Sequence, residues 1–553
     1  MDPNVDASGN PQAPKPGTIV ADARLIAALR ADLLAAGFDV AGLGELWGED
    51  AAAALHRAHR VPARRALDRV AGFSAAAVLA RLFVLGLPVA GEDLATALPS
   101  LGVDGAVSLG LAAASTGLIT PLVDLRPYSF TDSWGEANWW IASDLGELSL
   151  GRALNENHVL GVGGASLTLT GLMIDRSART TLDLGTGCGI QAMHASRHSG
   201  RVIATDISER ALDYARFNAT LNGIANIEFR LGSLFEPVAG ERFDHIVSNP
   251  PFVITPRAEG VPAYEYRDGG RVGDALVAEV VAGAATHLQP GGVAQLLGNW
   301  EYRATEDGLE RVADWLDGTD LDAWIVEREV QDAPLYAETW IRDGGTRSGD
   351  EFDRLSDAWL DDFEAREVTS VGFGYLTLRK PASGAPTLRR LERLDGPVGN
   401  SLGQHIGATL AAYDWQASLD DYALSRAMLT VASDVTEERH YWPGDEHPAV
   451  MNLKQGGGFA RSYPLDTVLA AVVGACDGEL SIAAICGALA ELLSVDQGDG
   501  ADQDGADQDG VDQDDGADQD GAEPIDPDAL LAETLPMIRE LVTVGILRRP
   551  EPS

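Results

Sequence analysis

One segment, 180–256, constrains the fold of this 553-residue chain more than any other. Its first apolar run, 181–184, has the character of a buried strand and continues into the glycine-rich turn 185–189. A second apolar run, 201–205, ends on Asp206. The remaining predicted elements of the segment are a helix from Ile190, a helix over 209–222, and strands over 227–231 and 245–248. Strands, helices and a glycine turn in this order predict a doubly wound α/β sheet with a ligand at the carboxyl edge of its strands.

The spacing of the glycines indicates which class of ligand the turn can bind. A dinucleotide site needs G-x-G-x-x-G, so that a helix N-terminus can face a pyrophosphate, whereas Gly185, Gly187 and Gly189 are spaced G-x-G-x-G. Asp183 stands two residues before the turn, and a carboxylate at a strand end attracts a cationic amino or sulfonium group at close range. Asp206 is placed to accept hydrogen bonds from two ribose hydroxyls. The pattern indicates a nucleoside ligand that has a positive centre and no phosphate.

A second motif, Asn249-Pro250-Pro251-Phe252, follows the fourth predicted strand. Two consecutive prolines cannot donate to a strand ladder, so the strand ends there and the backbone is fixed. The Asn249 side chain and the Pro250 carbonyl can both accept hydrogen bonds from an NH2 group. Phe252 offers a flat face on which a planar acceptor can stack. The motif therefore suits an amino nitrogen conjugated to a π-system, such as an exocyclic base amine or a glutamine amide.

In this order, the glycine turn, the acid after the second strand and the NPPF motif resemble the class I S-adenosylmethionine-dependent methyltransferases. The resemblance implies a Rossmann-like core, S-adenosylmethionine as cofactor and an acceptor nitrogen held by Asn249, Pro250, Pro251 and Phe252. The residues that it implies for cofactor binding are Asp183, Gly185, Thr186, Gly187, Gly189, Asp206, Ile207, Gly232, Ser233 and Asn249. One departure is Ser233, because many relatives carry at this position an acid that binds the adenine amine.

Two further stretches narrow the resemblance within that class. A glycine-rich patch at 264–276 and an LxPGG stretch at 288–293 are similar to those of release-factor glutamine methyltransferases and of small-domain rRNA base methyltransferases. The expected function is therefore methylation of an amino or amide nitrogen of a macromolecule, either a nucleic-acid base or a protein glutamine. The alternatives are a small-molecule tailoring methyltransferase and a catalytically inactive S-adenosylmethionine-binding interaction protein.

Charge bears on the choice between these substrates. A net charge of −43, with 84 acids and 41 basic residues, disfavours a nucleic-acid binder that uses its whole surface. Within this acidic chain one basic cluster stands out, consisting of Arg57, Arg60, Arg64, Arg65 and Arg69. The cluster suits contact with RNA phosphates or with an acidic protein, and the alternative is a solvated helix face that pairs with acids elsewhere.

Cysteine usage and hydropathy indicate the cellular compartment in which the protein is expected. The three cysteines, at 188, 476 and 486, have no metal-site spacing and predict a reducing environment without disulfides. With no charged-then-apolar leader and no apolar run of about 20 residues, the sequence predicts a soluble, cytoplasmic protein without membrane contact. The stretch 440–447, with two histidines and two acids, is predicted to be a polar loop, with metal binding as the alternative.

The domain prediction combines these patterns. Two mainly helical, winged-helix-like domains are expected to flank the methyltransferase core. The predicted ranges are a disordered tail at 1–18, an N-terminal domain at 19–150, the methyltransferase domain at 151–380, and a C-terminal domain at 386–553 with a disordered acidic repeat at 495–525. Within them, a helix is predicted over 66–85, a strand pair or wing over 117–126, and the last strand of the sheet over 371–378.

Overall fold

The computed structural model describes residues 18–150, 154–399, 401–499 and 525–550. The chain divides into two compact units, Met1–Thr170 with Arg176–Asp395 and Gly171–Asp175 with Gly396–Ser553. Apart from Gly171–Asp175, the N-terminal and methyltransferase domains predicted from the sequence both fall within the first unit, and the boundary between them stays a prediction. In the described part of the chain, no helix has the length and apolar character needed to cross a membrane.

The first unit begins with short helices and two small antiparallel sheets. Its elements up to residue 150 are α1 (Ala23–Ala35), α2 (Val40–His56), α3 (Val61–Leu67), α4 (Ala75–Leu79), β1 (Val89–Ala90), α5 (Gly91–Ala97), α6 (Gly102–Ser108), β2 (Ala112–Ser115), β3 (Leu118–Pro121), β4 (Val123–Asp132), β5 (Gly135–Asp144) and α7 (Glu147–Leu150). The first sheet has the order β1-β3-β2, and β4 pairs with β5 in a long hairpin. The pair predicted over 117–126 is thus divided between two sheets, because β3 pairs with β2 and β4 pairs with β5.

The single helix predicted over 66–85 is wrong. The helix α3 ends at Leu67, and Gly72 adopts a left-handed conformation with φ of 75° that interrupts the helical path. Ser74 then caps α4, since its side-chain oxygen accepts a hydrogen bond of 3.2 Å from the backbone N–H of Ala77. A π-helical turn, Ala80–Val84, follows. A glycine and an N-cap serine at this spacing separate two helices that hydrophobic periodicity alone had merged.

The rest of the first unit is built on one sheet. Its elements are α8 (Gly164–Leu172), β6 (Ala178–Leu184), α9 (Ile190–Ser196), β7 (Ser199–Asp206), α10 (Glu209–Leu221), β8 (Ile227–Leu231), β9 (Phe243–Ser248), α11 (Ala275–His287), β10 (Leu288–Arg303), α12 (Gly308–Leu316), β11 (Asp322–Asp332), α13 (Ala333–Asp343), α14 (Asp350–Ala365), β12 (Val368–Arg379) and β13 (Arg389–Arg393). The eight strands have the order β13-β11-β12-β10-β9-β6-β7-β8. The predicted Rossmann-like core is confirmed, and the strand predicted over 371–378 lies within β12.

The register of this sheet brings the predicted motifs together. The strand β6 runs parallel to both β7 and β9, and Leu184 pairs with Thr205 on one side and with Ser248 on the other. Gly185, Asp206 and Asn249 each follow one of these paired residues, so the three motifs lie at the same edge of the sheet.

Asn218 on α10 joins the N-terminal elements to the sheet. Its side chain is fully buried. It accepts a hydrogen bond of 2.8 Å from the N–H of Ala142 on β5 and donates two, to the carbonyls of Ala142 and Cys188. Cys188 belongs to the glycine turn, so one amide side chain fixes the hairpin, the helix and the turn together. Trp139 and Trp140 of the same hairpin are buried in this core, whereas Trp134 at its tip is exposed.

The second unit contains two three-stranded sheets and several helices. Its elements are α15 (Leu402–Ala417), α16 (Asp421–Ser425), β14 (Met428–Val431), β15 (Val435–His440), β16 (Val450–Gln455), β17 (Ser462–Leu465), α17 (Thr467–Gly474), β18 (Asp477–Ser481), α18 (Ile482–Asp499), α19 (Pro527–Thr543) and β19 (Leu547–Arg548). The stretch 440–447 joins β15 to β16 and is largely exposed. Among the described residues, no group of histidine, cysteine and acidic side chains could hold a metal ion. The predicted tail and most of the acidic repeat lie outside the described residues, and 495–499 end α18.

We expect Asn218→Ala to destabilise the first unit by roughly 3 kcal/mol, because three hydrogen bonds are lost and buried backbone groups of Ala142 and Cys188 are left unpaired. Urea unfolding followed by tryptophan fluorescence measures this change. Asn138→Ala is the matched control, because Asn138 is exposed on the same hairpin, and it should change the free energy of unfolding by less than about 0.5 kcal/mol. Equal effects of the two substitutions would contradict the role given to Asn218.

Candidate functional site

A cavity of about 490 Å³ opens at the carboxyl edge of β6, β7 and β9. Its volume is within the usual range for small-molecule sites of about 300–1,000 Å³. The predicted site residues in its wall are Gly185, Thr186, Gly187, Asp206, Ile207, Gly232, Ser233, Asn249, Pro250 and Pro251. Three predicted residues, Asp183, Gly189 and Phe252, lie outside the wall.

The glycine turn is shaped by backbone conformations that suit glycine. Gly185, Gly187 and Gly189 have φ angles of 75°, 55° and 92°. The N–H groups of Gly185 and Thr186 both donate to the Thr205 carbonyl at 2.9 Å, which ties the turn to the end of β7. A Cβ added at Gly189 would lie 3.0 Å from the Ala215 side chain on α10. Gly189 therefore allows the close packing of helices, while Gly185 and Gly187 present their backbone to the cavity.

Asp183 supports the turn from behind. It is 1% exposed, and its carboxylate accepts hydrogen bonds from the Thr186 hydroxyl at 2.5 Å and from the Ala192 N–H at 2.9 Å. Burial raises the pKa of Asp183 to about 7, and the neighbouring Asp206 charge adds to this rise while the two hydrogen bonds oppose it. The carboxyl group is thus placed to hold the loop that faces the ligand.

Asp206 lies in the wall itself, at the end of β7. Its two carboxylate oxygens accept hydrogen bonds of 2.9 Å from the backbone N–H groups of Gly187 and Ser208. Each oxygen keeps a second lone pair, so the group can still accept two hydrogen bonds from a ligand. Burial raises the pKa of Asp206, and Glu265, another wall residue, contributes to the rise. The wall has three acidic residues, and Asp268 pairs with Arg257, so Asp206 and Glu265 make the cavity favourable for a cationic ligand.

The NPPF motif continues directly from β9. The Ser248 hydroxyl donates to the Leu184 carbonyl at 2.8 Å and so fixes the ends of β9 and β6 against each other. The Asn249 side-chain oxygen is buried and has no hydrogen-bond partner. An orphaned acceptor in the cavity wall is a costly feature that a donating ligand group would satisfy.

Phe252 points elsewhere. It makes an edge contact with Trp340, at 6.5 Å between ring centroids, and is half-buried between two hydrophobic cores. The stacking face that the sequence prediction gave to Phe252 is therefore not part of the cavity wall.

Residues that the sequence prediction did not single out complete the wall. His158, Glu265 and Tyr266 all line the cavity. Burial lowers the pKa of His158 despite Asp144 at 3.7 Å, so its imidazole is neutral near pH 7. The Tyr266 hydroxyl donates to Asp343 at the end of α13, with 3.2 Å between the oxygens. The helix α13, between β11 and β12, thus contacts a residue of the cavity wall, and only the folded chain reveals this contact. Tyr266 lies in the glycine-rich patch at 264–276, which was the sequence signal for it.

The basic cluster lies apart from the cavity, on the end of α2 and on α3. Arg57, Arg64, Arg65 and Arg69 are exposed, and Arg60 is half-buried and donates to the Leu85 carbonyl at 3.2 Å. Across the described residues, none of the five forms an ion pair, although the chain has twice as many acids as bases. The nearby Asp68 pairs with Arg81 instead.

Two family models match the first unit. Residues 162–313 match the "Methyltransferase small domain" family, and residues 35–122 match a domain of unknown function, DUF7059. The first match covers the glycine turn, Asp206 and the NPPF motif. The second covers the segment that carries the basic cluster.

Curated relatives share the same region. A release factor glutamine methyltransferase of Xylella fastidiosa is 40% identical over 137 residues, which are 23% of this chain and 50% of the relative. A ribosomal protein uL3 glutamine methyltransferase of Bradyrhizobium diazoefficiens is 31% identical over 193 residues, 32% of this chain and 59% of the relative. A Methanocaldococcus jannaschii protein named "Putative protein N5-glutamine methyltransferase" is 32% identical over 135 residues, 24% of this chain and 68% of the relative. The chain spans about half the length of the first of these relatives.

Among solved structures, the YcgJ protein of Bacillus subtilis covers 40% of this chain and 98% of its own, with 16% identity and a TM-score of 0.27. A methyltransferase from Pyrococcus furiosus covers 39% of this chain and 81% of its own, with 18% identity and a TM-score of 0.25. The sheet order, the glycine turn and the curated relatives together define a Rossmann-like methyltransferase. The chain belongs to the class I S-adenosylmethionine-dependent methyltransferases of the small-domain kind, as the sequence resemblance implied.

The raised pKa of Asp183 makes a prediction about stability and pH. Between about pH 4 and pH 7 the folded protein keeps a proton on Asp183 that the unfolded chain releases, so the stability that this group contributes falls as the pH rises. The wild type should therefore lose stability relative to Asp183→Asn as the pH rises through this range. The whole loss is roughly 4 kcal/mol, because the folded and unfolded pKa values differ by about three units and one pKa unit corresponds to about 1.4 kcal/mol. Urea unfolding at several pH values measures the difference.

The control is Asp361→Asn, because Asp361 is an exposed residue on α14. Its stability difference from the wild type should stay constant over the same pH range. Parallel stability curves for Asp183→Asn and the wild type would show that Asp183 does not titrate as its burial requires.

Proposed function

We propose that this protein transfers a methyl group from S-adenosylmethionine to an amide nitrogen of a protein glutamine. The observation that carries the proposal is the buried, unpartnered side-chain oxygen of Asn249 in the cavity wall, next to the glycine turn and Asp206. Enzyme activity, substrate and partners all belong to this proposal, since the matched relatives extend beyond the shared region.

The residues of the wall fit the cofactor. The positive-φ glycines allow its close approach, and Asp206 keeps two lone pairs free for ribose hydroxyls. Glu265 and Asp206 favour the positive sulfonium centre. Ser233 lies in the wall, where its hydroxyl can contact the adenine edge with one hydrogen bond. When bound, S-adenosylmethionine supplies an electrophilic methyl group.

Asn249 and Pro250 hold the acceptor. The Asn249 oxygen accepts one N–H of the incoming amide and the Pro250 carbonyl accepts the other. Amide nitrogens are weak nucleophiles because their lone pair is delocalised, and two accepted hydrogen bonds help the lone pair to localise on nitrogen. The rigid prolines fix the approach direction, and such alignment accounts for several kcal/mol of barrier lowering. The acceptor proton is lost to solvent after transfer.

The choice of a protein substrate rests on the relatives. Two of them are named for glutamine methylation of a release factor or of ribosomal protein uL3. These names favour a macromolecular substrate over a free metabolite, and they imply action in the cytoplasm. The high negative charge agrees with a protein substrate better than with RNA.

RNA is the second candidate, and one observation favours it. Four exposed arginines, Arg57, Arg64, Arg65 and Arg69, remain without acidic partners among the described residues in a strongly acidic protein. Such a cluster suits phosphate contacts.

The N-terminal elements support a winged-helix-like module. A helix is followed in the chain by β1, α5, α6, β2 and β3, and the three strands form a sheet of order β1-β3-β2. The helix α6, which would be the reading helix of such a module, has Asp104 as its one charged residue. This composition favours a packing or protein-binding role for the module.

We expect Asn249→Ala to leave S-adenosylmethionine affinity within about twofold of the wild type and to lower kcat by roughly 100-fold or more, because it removes a contact to the reacting nitrogen. Calorimetry measures cofactor affinity, and methyl incorporation measures turnover. Asp206→Ala is the companion variant and should lose cofactor affinity. Equal losses of affinity and kcat in Asn249→Ala would contradict its acceptor role, and a wild type that binds cofactor without turnover on any extract would show an inactive binding protein.

The substrate is tested by incubating the protein and radiolabelled S-adenosylmethionine with cell extract, followed by parallel digestion with ribonuclease and protease. Label that only protease releases supports the glutamine proposal. Label that ribonuclease releases would overturn it and make RNA the substrate; the double variant Arg64→Gln/Arg65→Gln should then lower incorporation and weaken its salt dependence.

A further inference from the structure

The second unit contains a groove of about 820 Å³ that the proposed methyl transfer does not use. One face of α15 forms its floor, with Ser401 and His405 near the start of the helix and Trp415 near its end. The facing wall comes from Asp434, the loop at Gly458 and the chain end around Arg548. All of these residues belong to the second unit.

Two polar atoms in the groove are buried and unsatisfied. The His405 Nε2 atom and the Asp434 Oδ1 atom are shielded from solvent and have no hydrogen-bond partner. The other Asp434 oxygen accepts a hydrogen bond of 2.9 Å from the Gly457 N–H, so the carboxylate is held in place. Buried polar atoms are seldom left unpaired in folded proteins, because the cost is about 1–3 kcal/mol each. Two such atoms in one groove indicate a place for a bound group.

Positive charge surrounds the same end of the groove. Arg548 lies 3.6 Å from Asp434, beyond hydrogen-bond distance, and is half-exposed to the groove. Arg461 is buried close by, and the two guanidinium groups lower the pKa of His405 to about 4 together with its burial, which is the larger cause. Two arginines, Arg548 and Arg549, thus line the groove beside one acid, Asp434, in a chain with a net charge of −43.

The start of α15 adds to this potential. The helix has 16 residues, and the side chain of its N-cap residue, Ser401, lines the groove without capping the helix. The positive end of the helix dipole favours an anion at this position. Gly458 leaves room for the His405 ring, since a Cβ at this position would lie 2.5 Å from it.

We propose that this end of the groove binds a small oxyanion-bearing molecule, a phosphate ester or a carboxylate, that also carries a hydroxyl or amine hydrogen. The oxyanion contacts Arg548 and the first turn of α15. The hydroxyl or amine donates to Asp434 Oδ1, and His405 Nε2 pairs with a polar atom of the ligand. The site is a second ligand site, separate in the chain from the methyltransferase cavity.

The test is binding of three probes to the full-length protein by calorimetry at pH 7: inorganic phosphate, AMP and L-glutamate. AMP combines a phosphate with ribose hydroxyls, and glutamate combines carboxylates with an ammonium group. Binding of AMP above phosphate identifies a phosphate ester, and binding of glutamate identifies a carboxylate. No binding of any probe up to about 10 mM would overturn the proposal.

AMP resembles part of S-adenosylmethionine, so binding of AMP to the methyltransferase cavity must be distinguished from binding to the groove. Calorimetry of AMP is therefore repeated with Asp206→Ala, which should leave binding at the groove unchanged. Loss of all AMP binding in Asp206→Ala, with no binding of phosphate or glutamate, would also overturn the proposal. Failure of methyl transfer does not affect this measurement.

Arg548→Gln should weaken binding of whichever probe binds the wild type by about tenfold or more, because a charged contact is lost. Arg426→Gln is the matched control, since Arg426 is an exposed arginine of the same unit that lies over the Tyr422 ring, outside the groove. His405→Phe keeps the ring volume and removes the ring nitrogens, and it should also weaken binding. Equal affinities of Arg548→Gln and Arg426→Gln would show that the groove does not hold the anion.

Discussion

The parallel pairing of β6 with both β7 and β9 is the constraint on which the rest of the first unit depends. Because Leu184 lies opposite Thr205 and Ser248, three chain segments leave the sheet at one edge within one residue of each other. The Ser248 hydroxyl and the turn N–H groups then tie these exits together across the strands. A slip of one residue in either pairing would turn the side chains of a whole strand to the opposite face.

Charge burial is the second organising feature of the site. The Asp206 charge adds to the burial that disfavours ionisation of Asp183, and both carboxyl groups are held by backbone N–H groups. Such an arrangement costs stability in the free protein, and a cationic ligand relieves part of this cost. The unsatisfied Asn249 oxygen is a similar cost at the acceptor side. Both features agree with the proposed binding of a ligand with a positive centre and of an acceptor with donor hydrogens.

Two helices between β11 and β12 support one part of the cavity wall. The α13 and α14 helices, between β11 and β12, form their own hydrophobic core with Val253 and Ile254, which follow the NPPF motif directly. Asp343 at the end of α13 accepts hydrogen bonds from Tyr266 and Arg267. The part of the cavity wall around Tyr266 thus contacts α13, while the glycine turn is held by the sheet and by Asn218.

The sequence by itself determined the sheet core, the cofactor class and ten residues of the cavity wall. Glycines that need positive φ, an acid at a strand end and prolines that end a strand are local requirements, so they can be read from the residues at 183–189, 206 and 249–251. Tertiary structure decided what depends on neighbours distant in the sequence. The Asp183 carboxyl group contacts the loop and not the cavity, because Thr186 and Ala192 donate hydrogen bonds to it. The Phe252 ring packs beside Trp340 and lies outside the wall. The break at Gly72, the neutral His158 and the contact of Tyr266 with Asp343 likewise follow from backbone conformation, burial and packing that hydrophobic periodicity does not encode.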